Sequence, residues 1–237
     1  MTSRTPILVV LLDLDGTLVD SIPDLASAAN AMRLELGMPP LGLEVLTTFV
    51  GKGIDNLVRR TLAGSLGGKG LSGGEPDAGL FAQGLASFRR HYGLINGDMA
   101  AVYDGVIEGL RAMQDQGLKL AVVTNKPTEF TGPLLTRTGL AGFFSVIVCG
   151  DTCARRKPDP DQVLHACERL GVAPAQAVTI GDSLNDAQAG RAAGTRVLAV
   201  PYGYNEGQDV YLLDVDGIVP RLTDAAQVIA QWNAAAR

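Results

Sequence analysis

The sequence has no excess of basic residues, no long apolar run at its start and few cysteines. Its formal net charge of −5 argues against nucleic acid as a partner and leaves any anionic ligand dependent on local cations. The first apolar run covers residues 7–12, too few for a secretion signal or a membrane span. The cysteines Cys149, Cys153 and Cys167 lack the spacing of metal ligands and favour a reducing compartment. We therefore expect a cytoplasmic protein that binds neither nucleic acid nor a membrane.

What the sequence does contain is the composition of an ordinary globular protein. Apolar residues make up 46% of the chain and charged residues 19%, which is typical of a packed domain. A length of 237 residues is enough for one large domain or two modest ones, with a substantial core.

Short apolar runs alternate with helical patterns over much of the chain. The strand-like runs cover residues 7–12, 118–123, 145–149, 177–180 and 196–200. The helical patterns cover residues 104–116, 129–138, 161–170, 186–193 and 223–235. Such alternation is typical of a parallel sheet with helices on both faces. The sequence therefore predicts an α/β fold with a three-layer α/β/α, Rossmann-like core.

Residues 20–99 interrupt this alternation. Shorter helical pieces lie at residues 44–49, 54–62 and 80–92, and a glycine-rich loop covers residues 64–79. Ahead of them, one apolar stripe at helical spacing comprises Ile22, Leu25, Ala29, Met32 and Leu36. We expect residues 20–99 to form a helical domain, inserted into a core made of residues 1–19 and 100–237.

The first apolar run ends in Asp13-Leu14-Asp15-Gly16-Thr17. A strand buried on both faces should not end in two carboxylates unless a cation meets them. The period of two places Asp13 and Asp15 on the same side, with Leu14 turned into the core. Carboxylate and carbonyl oxygens suit Mg²⁺. The alternative is that both aspartates only cap a turn, since Asp and Gly are common there.

Other strand ends carry polar residues as well. Thr124-Asn125-Lys126-Pro127 follows the second strand, and Gly181-Asp182-Ser183-Leu184-Asn185-Asp186 follows the fourth. Arg155-Arg156-Lys157-Pro158 precedes a helix. Ligands of open α/β sheets bind beyond the carboxyl ends of the strands. Four separate segments therefore bring carboxylates, a hydroxyl and a lysine to one edge, which makes coincidence the weaker explanation.

These segments resemble the four motifs of the haloacid dehalogenase superfamily, in order and over essentially the whole chain. The matching residues are Asp13-x-Asp15-Gly16-Thr17, Thr124, Lys157-Pro158 and Gly181-Asp182-x-x-x-Asp186. The helical insert stands where that superfamily carries its small cap domain. Further stretches are similar to bacterial phosphoglycolate phosphatases, namely residues 18–25, 51–53, 123–127, 157–160 and 202–205.

The resemblance implies a phosphatase that works through an aspartyl-phosphate. Asp13 is then the nucleophile, and covalent catalysis splits one difficult displacement into two easier ones. Asp15 is the general acid that protonates the leaving oxygen and later activates water. The substrate implied is a small phosphorylated metabolite, with 2-phosphoglycolate as the first choice.

The resemblance also implies Mg²⁺ as cofactor. Its ligands would be Asp13, the backbone carbonyl of Asp15, and Asp182, while Asp186 would orient metal-bound water or Lys157. Without a cation, two unit negative charges ~4 Å apart repel by roughly 4 kcal/mol even at an effective dielectric of 20.

The transferring phosphoryl oxygens would be held by Lys157 and Thr124, as a point charge and a hydrogen-bond donor. Asn125 follows Thr124 closely enough to touch the same group. For Thr124 taken alone, a buried hydroxyl at a strand end is the simpler interpretation.

Within the insert, Gly51-Lys52-Gly53 is the candidate substrate loop. Its glycines permit close approach, and Lys52 could meet the carboxylate of phosphoglycolate. The alternative is a solvated lysine in an ordinary turn between helices.

Other functions stay open at this point. Another small phosphate ester, or a phosphotransferase such as a sugar-phosphate mutase, would use the same Asp13. A dehalogenase would not need Asp15, and a catalytically silent binding module usually loses a catalytic carboxylate. The chain could act as a monomer or a homodimer.

Overall fold

The computed structural model describes residues 5–68 and 75–236 of the chain. In these residues the strands are β1 (Val9–Leu12), β2 (Val19–Asp20), β3 (Ala101–Val102), β4 (Lys119–Val123), β5 (Val146–Val148), β6 (Ala177–Gly181), β7 (Arg196–Ala199) and β8 (Gly217–Ile218). The helices are α1 (Ile22–Glu35), α2 (Leu43–Phe49), α3 (Ile54–Ala63), α4 (Ala78–Ile95), α5 (Val106–Asp115), α6 (Thr128–Arg137), α7 (Asp161–Leu170), α8 (Leu184–Ala193) and α9 (Leu222–Ala234).

The main sheet has six parallel strands in the order β5-β4-β1-β6-β7-β8. Its central strand β1 is fully buried. Val10 and Leu12 pack into a cluster with α5, α6 and α9, whereas Val9 and Leu11 pack against α7 and α8. The chain is therefore an α/β protein, and the predicted three-layer core is confirmed.

The first predicted strand is too long at its start. The apolar run covers residues 7–12, but β1 begins at Val9. Leu8 is 42% exposed although its amide still donates to Gln176 O at 2.8 Å. The run therefore includes two residues ahead of the strand, Ile7 and Leu8, which apolar character alone does not distinguish from strand.

Two predicted helices begin elsewhere because of their local chemistry. The helix expected at residues 104–116 starts at Val106, since Gly105 precedes it with a left-handed φ of 80°. The helix expected from residue 186 starts at Leu184. Ser183 donates from its amide and its hydroxyl to Asp186 Oδ2, at 3.1 and 2.6 Å. Asp186 therefore lies in the first turn of α8, and the two hydrogen bonds from Ser183 hold its carboxylate in place.

The sequence patterns missed three very short strands. Strand β8 extends the main sheet beside β7, and β2 pairs with β3 in an antiparallel ladder, Val19 opposite Val102 and Asp20 opposite Ala101. Two-residue strands show no periodicity, so no pattern could reveal them. The ladder joins the two places where the chain passes between the sheet and the inserted helices.

Helices α1 to α4 surround an apolar cluster of their own, with Phe49, Phe88 and Tyr92 fully buried. The first four residues of the predicted stripe are buried on α1, while Leu36 lies just past its end. Of the predicted glycine-rich loop, residues 69–74 lie outside the described residues. None of the helices in the described ranges combines the length and apolar character needed to cross a bilayer.

Candidate active site

Strand β1 delivers Asp13 and Asp15 to one cavity. The Asp13 amide donates to Ile180 O at 3.0 Å, which continues the sheet ladder, and Leu14 turns into the core. Both carboxylates line the same cavity at the carboxyl end of the sheet. Gly16 follows with a φ of 87°, and a Cβ there would overlap the carboxylate of Asp182. The turn after β1 therefore needs glycine both for its conformation and for its space.

Lys157 forms ion pairs with two carboxylates, those of Asp13 and Asp186. Its ammonium lies 2.9 Å from Asp13 Oδ1 and 2.6 Å from Asp186 Oδ1, and it donates to Val123 O at 2.7 Å. Although burial alone would lower it, the charges of Asp13 and Asp186 raise the pKa of Lys157. Burial raises the pKa of Asp13 to about 6, with Lys157 opposing the shift. Lys157 is therefore a fixed positive charge beside Asp13.

Asp182 completes a cluster of three carboxylates. One oxygen each of Asp13, Asp182 and Asp186 lies within 4.8 Å of the others. Asp182 accepts from Thr17 Oγ1 at 3.1 Å and from the amide of Tyr204 at 2.7 Å. Burial, followed by the charges of Asp186 and Asp13, raises the pKa of Asp182 to about 8.

This donor set fits a hard divalent cation. When ionised, the three carboxylates face the single ammonium of Lys157, so two buried negative charges are left uncompensated. Buried charges without a partner are costly, and carboxylate oxygens are the ligands that such cations prefer. The carboxylate of Asp15 is not in this cluster, which agrees with the expectation that Asp15 would offer its backbone carbonyl to the metal.

Asp15 instead pairs with Lys126, a residue that the sequence motifs did not single out. Lys126 Nζ lies 3.1 and 3.2 Å from the two carboxylate oxygens of Asp15, and Ser21 Oγ donates to Asp15 Oδ1 at 2.6 Å. The same ammonium donates to the hydroxyl of Tyr92, on helix α4, at 2.6 Å. Although burial would lower it, Asp15 raises the pKa of Lys126. The two aspartates that follow β1 therefore have separate lysine partners.

Thr124 and Asn125 lie at the end of β4 and also line the cavity. The Thr124 hydroxyl accepts from the amide of Lys126 at 3.2 Å. Asn125 donates through Nδ2 to Lys157 O at 2.9 Å and to Gly51 O at 3.0 Å. Its Oδ1 is buried without a hydrogen-bond partner among the described residues. Asn125 therefore ties the inserted helices to the sheet edge.

The inserted helices roof the cavity with apolar side chains and glycine. The roof comprises Leu25, Val50, Gly51, Gly53, Ile54 and Leu57. A Cβ on Gly53, which has a φ of 81°, would overlap the guanidinium of Arg156 and lie 3.2 Å from Asn125 O. The remaining space is small, about 40 Å³. Only a small ligand fits beneath this roof.

Lys52 does not enter this cavity in the structure. Its ammonium lies 3.2 Å from Glu206 Oε2, and its side chain is 40% exposed. Glu206 follows β7 and also pairs through Oε1 with Arg60 Nη1 at 2.9 Å. Two residues earlier, the hydroxyl of Tyr204 donates to Asp20 Oδ1 at 2.9 Å. The loop after β7 therefore contacts Asp182, the entry to the insert, and the insert itself.

The sequence matches known hydrolases over most of its length. The profile of the haloacid dehalogenase-like hydrolases matches residues 10–200. A phosphoglycolate phosphatase of Thiobacillus denitrificans is 50% identical over 226 residues, which cover 95% of this chain and 97% of the relative. A plasmid-encoded phosphoglycolate phosphatase of Cupriavidus necator is 43% identical over 221 residues, covering 93% and 92%.

Solved structures also match this chain over most of its length. A crystal structure from Haemophilus somnus, described as a predicted phosphoglycolate phosphatase, has a TM-score of 0.87 and 32% identity, and covers 94% of this chain and 97% of that one. CbbY from Rhodobacter sphaeroides, in complex with phosphate, has a TM-score of 0.74 at 24% identity, covering 92% and 96%. At that identity CbbY shows a shared fold alone.

Proposed function

The chain belongs to the haloacid dehalogenase-like hydrolases and is a phosphatase, and from this premise we propose that it hydrolyses 2-phosphoglycolate to glycolate and phosphate with Mg²⁺. The relatives that carry the name phosphoglycolate phosphatase support the substrate. The small cavity above Asp13 and Asp15 favours a small ester over a large one. The predicted cytoplasmic location and the monomeric or homodimeric state stay predictions.

Asp13 is the nucleophile in this proposal. Its carboxylate attacks phosphorus, the bond from phosphorus to the glycolate oxygen breaks, and an aspartyl-phosphate forms. Lys157, 2.9 Å from Asp13 Oδ1, and the hydroxyl of Thr124 stabilise the charge on the transferring oxygens. Asp186 holds Lys157 in place through its 2.6 Å ion pair. Asn125, at the same edge, fixes the backbone of Lys157 through its hydrogen bond.

Asp15 is the general acid and base. It gives a proton to the leaving glycolate oxygen and later takes one from the water that cleaves the aspartyl-phosphate. Ser21 and Lys126 orient its carboxylate toward the cavity. The assignment rests on one observation: the two aspartates line a single cavity but have different lysine partners. Two carboxyls in different environments suit two different roles.

Mg²⁺ would be held by Asp13 and Asp182, with the Asp15 carbonyl as the further ligand expected from the family and Asp186 close by. When bound, it neutralises charge between the Asp13 carboxylate and the phosphate and so permits their approach. The inserted helices, residues 20–99 in the proposed division, exclude water from the site.

Phosphate release tests the proposal. Purified protein with Mg²⁺ should release phosphate from 2-phosphoglycolate faster than from other small phosphomonoesters, with glycolate as the second product. Treatment with a chelator should stop the release, and added Mg²⁺ should restore it. Undiminished turnover after chelation would contradict the metal assignment. Faster turnover of another ester would replace the substrate while leaving the phosphatase assignment intact.

A further inference from the structure

We propose that Lys126 binds the carboxylate of the substrate and so selects an ester that carries an acid group next to its ester oxygen. This inference rests on the proposed function, because it names the residue that recognises the acid half of phosphoglycolate. It differs from the expectation that Lys52 of the inserted loop does so.

The charge of Lys126 suits the carboxylate of this substrate. The substrate would bring a carboxylate as well as a phosphate into a small cavity with an apolar roof. A buried carboxylate needs a cation or several donors. Of the described residues that line the cavity, Lys126 is the one with a cationic side chain. Lys52 is directed away, toward Glu206.

Lys126 also lies within reach of the substrate carboxylate. In phosphoglycolate a single CH₂ separates the carboxylate from the leaving oxygen, so a carboxylate oxygen lies about 3 Å from that oxygen by ordinary bond lengths. Asp15 must contact the leaving oxygen in order to protonate it. Lys126 Nζ lies 3.1 and 3.2 Å from the oxygens of Asp15. A cation beside the general acid is therefore also beside the carboxylate of this substrate.

The ammonium of Lys126 can bind a further partner and is held rigidly. It has three N–H donors; when the two oxygens of Asp15 share one of them and the Tyr92 hydroxyl takes another, the third can turn to a ligand. Nζ also lies 4.8 Å from the centre of the Tyr92 ring, and Lys126 is only 4% exposed. A lysine that is already ordered loses little further freedom when it binds an anion.

The test compares two esters of similar size. Ethyl phosphate replaces the carboxylate of 2-phosphoglycolate by a methyl group and keeps the same phosphate. The ratio of kcat/KM for phosphoglycolate to that for ethyl phosphate measures how strongly the enzyme recognises the acid group. We would measure it for the wild type, for Lys126→Met, for Lys126→Arg and for Lys52→Met. Lys119→Met, at the opposite end of β4, is the matched control.

We expect Lys126→Met to lower this ratio roughly 10²-fold, as expected when one partner of a buried charge pair is truncated. Lys126→Arg should keep more of the preference, and Lys119→Met all of it. An equal loss for both esters in Lys126→Met would show that the lysine acts only through Asp15 and would overturn the inference. A ratio that falls in Lys52→Met instead would overturn it as well.

The test stays decisive even if one variant fails to fold. If Lys126→Met does not fold, as judged by its thermal transition, Lys126→Gln takes its place. The wild type alone is also informative. If it shows no preference for phosphoglycolate over ethyl phosphate, no residue of the enzyme recognises the carboxylate, and the inference is overturned. A wild type that hydrolyses other phosphomonoesters but not phosphoglycolate would refute the proposed substrate, an outcome distinct from failure of the Lys126 assignment.

Discussion

The floor and the roof of the cavity are built in opposite ways. The floor, at the end of the sheet, carries ion pairs such as Asp13 with Lys157 and Asp15 with Lys126. The roof presents aliphatic side chains and glycine, and its charged residues Lys52 and Arg60 face Glu206 rather than the cavity. The difference supports the proposal that the sheet edge carries the chemistry and that the insert excludes water. Substitutions in the floor should therefore change turnover, and substitutions in the roof should change closure and stability.

The largest effect is expected from Asp13→Asn in the floor. The amide keeps the shape of the side chain but cannot attack phosphorus, so turnover should fall roughly 10⁴-fold or more. Stopped phosphate-release assays on 2-phosphoglycolate would measure this. The control is Asp115→Asn, an exposed position at the end of α5. Near wild-type turnover by Asp13→Asn would exclude the covalent route.

In the roof, Gly53→Ala should have the next largest effect. The new Cβ overlaps the guanidinium of Arg156 and approaches Asn125 O, and the left-handed φ of 81° is itself unfavourable for alanine. Displacement of the roof should lower kcat/KM about tenfold to 10²-fold. Gly42→Ala, where a Cβ meets no atom within 4 Å, is the matched control. If both variants behave alike, the close approach of Gly53 to the floor has no role in turnover.

A third variant, Glu206→Gln, separates the stability of the roof from catalysis. Arg60 is buried, and the neutral amide leaves its charge without a carboxylate. The free energy of unfolding should fall by about 1–2 kcal/mol, as measured by urea denaturation, while kcat changes less than in Asp13→Asn. The exposed Glu44→Gln on α2 is the control. A loss of kcat as large as that of Asp13→Asn would contradict the division between floor and roof.

The smallest effect concerns pH and the metal in the floor. The pKa of Asp182 is raised to about 8 and that of Asp13 to about 6, so the folded protein holds protons that the unfolded chain has released above about pH 4. Stability without metal should therefore fall as pH rises from 5 to 8. Added Mg²⁺ should raise Tm by a few degrees more at pH 8 than at pH 6, because it meets the ionised carboxylates.

Asp182→Asn is the matched variant for the metal measurement. It should raise the stability of the metal-free protein at pH 8 and reduce the gain that Mg²⁺ gives. A gain in Tm that is independent of pH in the wild type would show that the cation binds elsewhere.

The sequence could predict much of the floor. Asp13, Thr124 and Asp182 each follow a buried strand, and parallel strands end at the same edge, so their proximity follows from the order of the elements. The order of the strands in the sheet could not be predicted from the individual apolar runs. The antiparallel ladder β2–β3 could not be predicted either, because two-residue strands have no pattern. The predicted roles of these residues stay predictions, but the structure does bring Asp13, Thr124 and Asp182 to the same edge of the sheet.

Lys126 and Lys52 mark the limit of sequence reasoning at the site. Lys52 is itself a sequence candidate and Lys126 stands next to one, but sequence position does not determine where a long side chain points. Tyr92 and Glu206 lie far from these lysines in sequence, and each directs one of the two ammonium groups. Such long-range pairings come from tertiary packing and not from local spacing.

The short ladder β2–β3 has a consequence for how this protein could be re-engineered. Asp20 and Ala101 stand opposite each other in register, so the polypeptide leaves the sheet and returns to it at nearly the same point. A reverse turn of a few residues could bridge that gap and delete the four-helix cassette without stretching the backbone. Other cassettes could be grafted at the same pair of positions, which would give the unchanged Asp13 and Lys157 new substrate ranges.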